Sequence, residues 1–272
     1  MGELTVSQEI LSETNEPEPR SASRSTFAGL FLVTLATLVY ELLLTRIFSV
    51  TMWYHCAFMA VSVAVFGMTV GAIAVYLAPS LFSRKNTTLM LSVSTLAFSV
   101  TSILSVYFHL AMLNQTNLDF ITMLQNTYLL TLVPFFFSGI SVCLVLTRNT
   151  KQISQLYAAD LLGAAAGCLF LPALFEVVDG PSAVLVVAFL CALAACAFSL
   201  PLKRFRLVTI IFTLILAVLI PINQSTHWMK LGPIVRGRKE ETPLFEKWSM
   251  AARVRVLEMD RLLNRLYKAV GL

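Results

Sequence analysis

The chain has 272 residues, of which 57% are hydrophobic (AVILMFWYC) and only 13% are charged, with a mean hydropathy of +0.79. Soluble domains carry about 25% charged residues, so a water-soluble particle of this size could not cover itself, and the modest Gly, Pro and Cys counts of 11, 10 and 5 exclude collagen-like, disulfide-scaffold and disordered classes. The net charge of +5 would suggest a nucleic-acid partner in a soluble chain; here we expect none, and the lipid bilayer is the expected partner.

Residues 1–25, with five Glu and two Arg, cannot bury enough surface to offset ordering and read as a disordered cytoplasmic tail without a secretory signal. A hydrocarbon core of about 30 Å needs about 20 apolar residues as helix. Seven runs qualify: Phe27–Phe48, Cys56–Ala78, Thr88–Leu113, Thr127–Leu146, Gln155–Phe175, Ser182–Leu200 and Leu207–Ile222. The last measures only about 24 Å and could cross or lie in the interface. The expected fold class is therefore all-α, a polytopic transmembrane helical bundle of six or seven spans over residues 26–222.

Arg84 and Lys85 follow the second run, Arg148 and Lys151 the fourth, and Lys203, Arg204 and Arg206 the sixth, while the loops after the first, third and fifth contain no Lys or Arg. The positive-inside rule then makes the even loops and the N-terminus cytoplasmic. Seven spans would leave the basic tail after Asn223 outside, and six would leave it inside.

Three charges fall inside apolar runs, and each is a functional candidate because a charge near the bilayer centre costs at least about 2.5–3.5 kcal/mol. Glu41 and Arg46 lie in the first run and Asp160 in the fifth. Glu41, Arg46 and His55 form a candidate polar cluster that binds an ion or charged ligand, or else an interhelical structural pair anchored by Trp53 and Tyr54. Asp160 either complements a helix dipole or pairs with Arg148, Lys151 or Arg84. Glu41 and Asp160 sit at different depths, too far apart to touch. His109 and His227 read as interfacial residues. The five cysteines lack metal-ligand spacing, and no metal or cofactor is expected.

Gly67 and Gly71 form a GxxxG pattern, and Ala159, Gly163 and Gly167 form a longer small-residue ridge, both suited to close helix packing in lipid. Pro134 and Pro172 are expected to kink their helices. Runs one to three and four to six are two odd-numbered groups in series, hence oppositely oriented, the arrangement of an inverted repeat. Residues 223–272 read as a linker and the start of a soluble segment, with Arg253–Leu257 (RVRVL) as a strand and Glu258–Val270 as a short helix.

Tyr40–Phe66 (YELLLTRIFSVTMWYHCAFMAVSVAVF), on to Gly67 and Gly71, together with Leu156–Gly180 (LYAADLLGAAAGCLFLPALFEVVDG), resembles the membrane region that precedes spermidine-synthase-like (polyamine aminopropyltransferase) domains in many bacterial proteins. The stretch Phe245–Val256 (FEKWSMAARVRV) is similar to the opening of the soluble catalytic domain. Residues that match the membrane pattern are Glu41, Arg46, Trp53, Tyr54, His55, Gly67, Gly71, Asp160, Gly163 and Gly167. The resemblance implies a bacterial inner-membrane protein whose soluble domain is Rossmann-like and binds decarboxylated S-adenosylmethionine. Past Ile222 there is no Gly-rich strand-to-helix fingerprint, so no catalytic residues are expected in this chain alone. The expected role is to anchor, or feed, a soluble aminopropyltransferase-like domain. Two alternatives are a small-molecule or cation transporter using Glu41 and Asp160, and a structural assembly module that forms a homo-oligomer.

Overall fold

The computed structural model describes residues 22–84, 86–113, 119–226, 234–235, 238–239, 244–249 and 253–256. The tail up to residue 21, His227 and the helix expected over Glu258–Val270 lie outside the described residues. Among the described residues seven α-helices follow one another: α1 (Arg24–Thr51), α2 (Ala57–Leu77), α3 (Thr87–Leu113), α4 (Phe120–Arg148), α5 (Ile153–Phe175), α6 (Gly180–Ser199) and α7 (Lys203–Thr226). Each is long and apolar enough to cross a membrane, so the fold is the expected all-α bundle.

Local chemistry sets the helix starts. The side chains of Ser23, Asp119 and Asp179 each accept a hydrogen bond from the backbone N–H three residues on, at Thr26, Thr122 and Ser182 respectively. These bonds satisfy donors that have no intrahelical partner. Asp119 explains why α4 begins at Phe120 rather than Thr127: the cap starts the helix beyond the apolar run, and Gln125 and Asn126 occupy its early turns. The Asp119 carboxyl is held below its ordinary value by its hydrogen bonds to Thr122. Pro134, Pro172 and Pro221 sit inside helices that continue through them.

The uncertain last run is a helix of 24 residues, about 36 Å long. It runs antiparallel along α6, joined by Ser199–Thr209 (3.0 Å), Cys196–Thr213 (3.3 Å) and Asn223 Nδ2–H donated to Ser182 Oγ (2.7 Å). A helix bonded to both ends of α6 shares its axial extent. The bundle thus has seven helices that can span, and the far end of α7 lies beside the α5–α6 turn.

Helix neighbours obey a two-fold rule. Helix α2 packs on α4 as α5 packs on α1, α3 packs on α4 as α6 packs on α1, and α3 and α6 pack on each other. The rule holds residue by residue. A Cβ on Gly67 would meet Leu132, Phe135 and Phe136, and one on Gly71 would meet Phe136 and Ile140; a Cβ on Gly163 would meet Phe31 and Thr34, and one on Gly167 would meet Leu35, Leu38 and Val39. One constant offset carries Phe31, Thr34, Leu35 and Val39 onto Leu132, Phe135, Phe136 and Ile140. The same offset relates Thr37 to Ser138, whose hydroxyls bond each other at 2.5 Å. They meet on the pseudo-axis of an inverted repeat, with α7 added outside it.

Helix α1 is the hub, with Leu30, Val33, Ala36, Val39, Tyr40 and Leu43 fully buried, whereas α7 exposes Leu207, Ile211, Leu214 and Val218. Beyond the helices, β1 (Ile234–Val235) pairs antiparallel with β2 (Arg238–Lys239), and β3 (Phe245–Trp248) with β4 (Arg253–Val256).

Candidate functional site

The residues singled out by charge are spread over two ends of the bundle and one helix seam. Thr34 faces Gly163, and Glu41, seven residues further, returns to nearly the same face of α1 about 10 Å along the axis. Asp160 stands three residues before Gly163 on α5, which runs parallel to α1. Both carboxylates therefore flank the α1–α5 seam, about 15 Å apart along it. Each is half-buried, and neither has a hydrogen-bond or ion-pair partner among the described residues. Asp160 falls in the third turn of α5, whose first turn contains no acidic residue. A dipole contribution is thereby excluded, because that effect fades within the first turn.

Arg46 lies near the C-terminal end of α1 with its Nε buried and without a hydrogen-bond partner among the described residues. The offset of the repeat places its counterpart one residue from Arg148, at the C-terminal end of α4 and so at the opposite end of the bundle. The Arg148 Nε is also buried and without a partner among the described residues, while its Nη2 donates to the Phe82 carbonyl. His55 sits in the 3-10 turn Tyr54–Cys56, its ring stacked on Trp53 (6.5 Å) and edge-on to Tyr54 (5.3 Å). No hydrogen bond or ion pair joins Glu41, Arg46 and His55 among the described residues. Nor do any three His, Cys, Asp or Glu side chains of those residues gather as a metal site. Gly67, Gly71, Gly163 and Gly167 all face partner helices, and Ala159 extends the Gly163–Gly167 ridge by one turn.

His109 lies near the C-terminal end of α3. It is 2% exposed and ties three helices together, bonding Thr51 Oγ1 through Nε2 (2.9 Å) and Thr127 Oγ1 through Nδ1 (3.0 Å). Thr51 already donates its hydroxyl proton to the Ile47 carbonyl (2.7 Å), so it accepts from the imidazole. That assigns the Nε2–H tautomer, with bare Nδ1 accepting from Thr127.

His109 ends a buried hydroxyl stripe on α3. Ser94 and Thr95 bond Ser141 of α4 (2.8 and 3.1 Å), Ser99 donates to the Ala188 carbonyl of α6 (2.6 Å), and Ser105 bonds the Tyr40 hydroxyl of α1 (2.5 Å). Charge and glycine patterns did not point to this network. The available signal was the spacing of Ser92, Thr95, Ser99, Ser102 and His109 on one helix face.

The strongest extramembrane feature is where the tail meets the bundle. Trp248 is 3% exposed, stacked on Phe175 at 6.4 Å. Gly180 makes the room: a Cβ there would stand 2.8 Å from the indole. Lys247 Nζ pairs with Glu176 Oε2 (2.6 Å). Glu246 accepts from Arg253 Nε (2.7 Å), Arg253 Nη2 (2.9 Å) and Trp248 Nε1 (2.8 Å), and the Arg253 guanidinium lies over the indole at 5.8 Å. Burial raises the Glu246 carboxyl, but the hydrogen bonds and charge of Arg253 outweigh it and hold the group below its ordinary value. The β3–β4 hairpin is thus pinned to the α5–α6 turn by one aromatic side chain and the Lys247–Glu176 ion pair. No protein-family model, no curated protein and no solved structure matches this chain.

Proposed function

We propose that the chain is a membrane anchor that holds a spermidine-synthase-like unit in a fixed pose against one end of the bundle. The observation that carries this reading is the docked hairpin: Trp248 sits in a slot between Phe175 and Gly180, within the segment that resembles the opening of an aminopropyltransferase domain. A flexible tether needs no such slot. Arg84, Arg148, Lys151, Lys203, Arg204 and Arg206 cluster at the opposite end of the helices, which supports a cytoplasmic N-terminus in a bacterial inner membrane and a hairpin on the outer side. That orientation restricts the held unit to substrates present outside.

The test uses the Glu176→Cys/Lys247→Cys pair bridged by a short bismaleimide in native membranes. Bridging is expected in the otherwise unchanged chain, with at least about a tenfold loss when Trp248→Ala is added, on a truncation cost of about 3 kcal/mol. Because the folded-state value of Glu246 is depressed, its contribution is present above the unfolded value and lost as pH falls through and below the ordinary 4.5; docking should weaken there, seen as increased iodide quenching of Trp248 fluorescence in a chain whose other tryptophans are replaced by Phe. Unchanged bridging in Trp248→Ala would remove the docking account. Co-purification of aminopropyl transfer from decarboxylated S-adenosylmethionine with the tagged chain tests the family reading, and its absence counts against that reading alone.

A second reading, transport of a cation, is favoured by the inverted repeat and by the two carboxylates at the α1–α5 seam, which have no partner among the described residues. It predicts that Glu41→Gln and Asp160→Asn each abolish uptake of radiolabelled spermidine into vesicles while the protein is still made and inserted; unchanged flux would eliminate it.

A further inference from the structure

We propose that the gap between the N-terminal ends of α2 and α4 is a binding site for an uncharged amphiphile, a molecule with a hydroxyl- or carbonyl-bearing neutral head and an apolar chain, that enters sideways from the lipid. Helices α2 and α4 are pinned where Gly67 and Gly71 meet Phe135 and Phe136 and where Gly139 meets Met68. Crossing helices held together at one level separate away from it. Toward the hairpin end they open a cavity of about 690 Å³, within the range of small-molecule sites, about 300–1,000 Å³.

The lining dictates the ligand. His55, Gln125, Asn126 and Tyr128 supply hydrogen-bond donors and acceptors, and Met59 and Leu124 supply apolar walls. None of the described lining residues is Asp, Glu, Lys or Arg. A cationic head would lie there without a counter-charge and an anionic head with only the His55 imidazole to face it, at the edge of a low-dielectric region, which is costly, whereas a neutral head can be matched on both donor and acceptor sides. His55 precedes the first turn of α2 and Gln125 lies early in α4, so the polar groups stand at the mouth. Phe58 and Leu129, 74% and 62% exposed, form a lipid-facing rim.

The inverted repeat supplies a control within the same molecule. Its symmetry mate lies between the N-terminal ends of α5 and α1, at the other end of the bundle. There the two helix ends are joined directly, the Ala22 N–H donating to Gln152 Oε1 at 2.8 Å.

The test is photolabelling of the full chain in nanodiscs with a diazirine-bearing monoacylglycerol, compared with lysophosphatidic acid and an alkyltrimethylammonium of the same chain length. Adducts are expected on peptides containing Met59 or Leu124–Leu129, about tenfold above either charged probe and displaced by unlabelled monoacylglycerol. Leu124→Trp, which fills the cavity, should reduce labelling by a similar factor with unchanged thermal unfolding. Should that variant melt early, Met59→Phe serves as the filling variant. Equal labelling by the charged probes, adducts spread evenly to lipid-facing positions such as Val65 and Leu169, or full labelling of a stable filled variant would each overturn the proposal.

Discussion

Gly71→Ala, Gly139→Ala and Gly163→Ala should each cost the bundle far more than a methyl group ordinarily does, while Gly167→Ala should be mild. A Cβ on Gly71 would fall against the Phe136 carbonyl and 2.9 Å from the Ile140 nitrogen; one on Gly139 would fall against the Met68 backbone, and one on Gly163 against Thr34 Oγ1 and 2.5 Å from the Phe31 carbonyl. These neighbours are mostly backbone and cannot rotate away, so whole helices must separate, sacrificing dispersion contacts along the seam. At Gly167 the nearest atom stands at 3.0 Å and the next at 3.4 Å, which a small shift absorbs. Overpacking of this kind costs about 1–3 kcal/mol, and more where backbones collide. Thermal unfolding in detergent, followed by exposure of the buried Cys56 and Cys191 thiols to a fluorogenic maleimide, should rank Gly167→Ala well above the other three. Equal melting of all four would mean that these seams are not close-packed.

His109→Ala is expected to cost about 2–4 kcal/mol, combining a cavity with two lost interhelical hydrogen bonds. Thr51 keeps its bond to Ile47, but Thr127 loses its acceptor in a dry environment. His109→Gln, which still offers one donor and one acceptor, should recover part of the loss, and His109→Phe should restore volume without the bonds. The same thiol-exposure assay separates the two contributions. If Gln and Phe melt alike, the hydrogen bonds to Thr51 and Thr127 contribute nothing net, and His109 acts by volume alone.

Spans were readable in the sequence because length and charge exclusion are local properties: the apolar runs lie inside, or within a residue or two of, the helices they announce. Their ends were less readable. Helix α4 starts at Asp119 because a cap needs one acceptor, not an apolar neighbour, and α7 continues through the polar residues from Asn223 to Thr226 that ended the run. The glycine ridges announced close approach, yet only the folded chain shows that each faces the same positions of the opposite half. Glu41, Arg46 and Asp160 were visible as expensive residues, but sequence offers no distance between helices, so the separation of Glu41 from Asp160 rested on depth alone. Hydroxyls were hardest to interpret. A Ser or Thr in a helix can bond its own preceding turn, so the α3 stripe gave no sign of partners on α1, α4 and α6. His109 near the end of a run gave no sign of its partners Thr51 and Thr127, and nothing near Trp248 in the chain pointed to Gly180.

Helix α7, which stands outside the two-fold arrangement, acts as a parity element. Six helices would return the chain to the end where it began, a full bilayer away from Gly180, and the indole could never reach its slot. Adding one helix carries the polypeptide back across and delivers Trp248 to the correct rim. Excising Lys203–Thr226 would therefore do more than thin the bundle: it would move whatever follows to the opposite compartment.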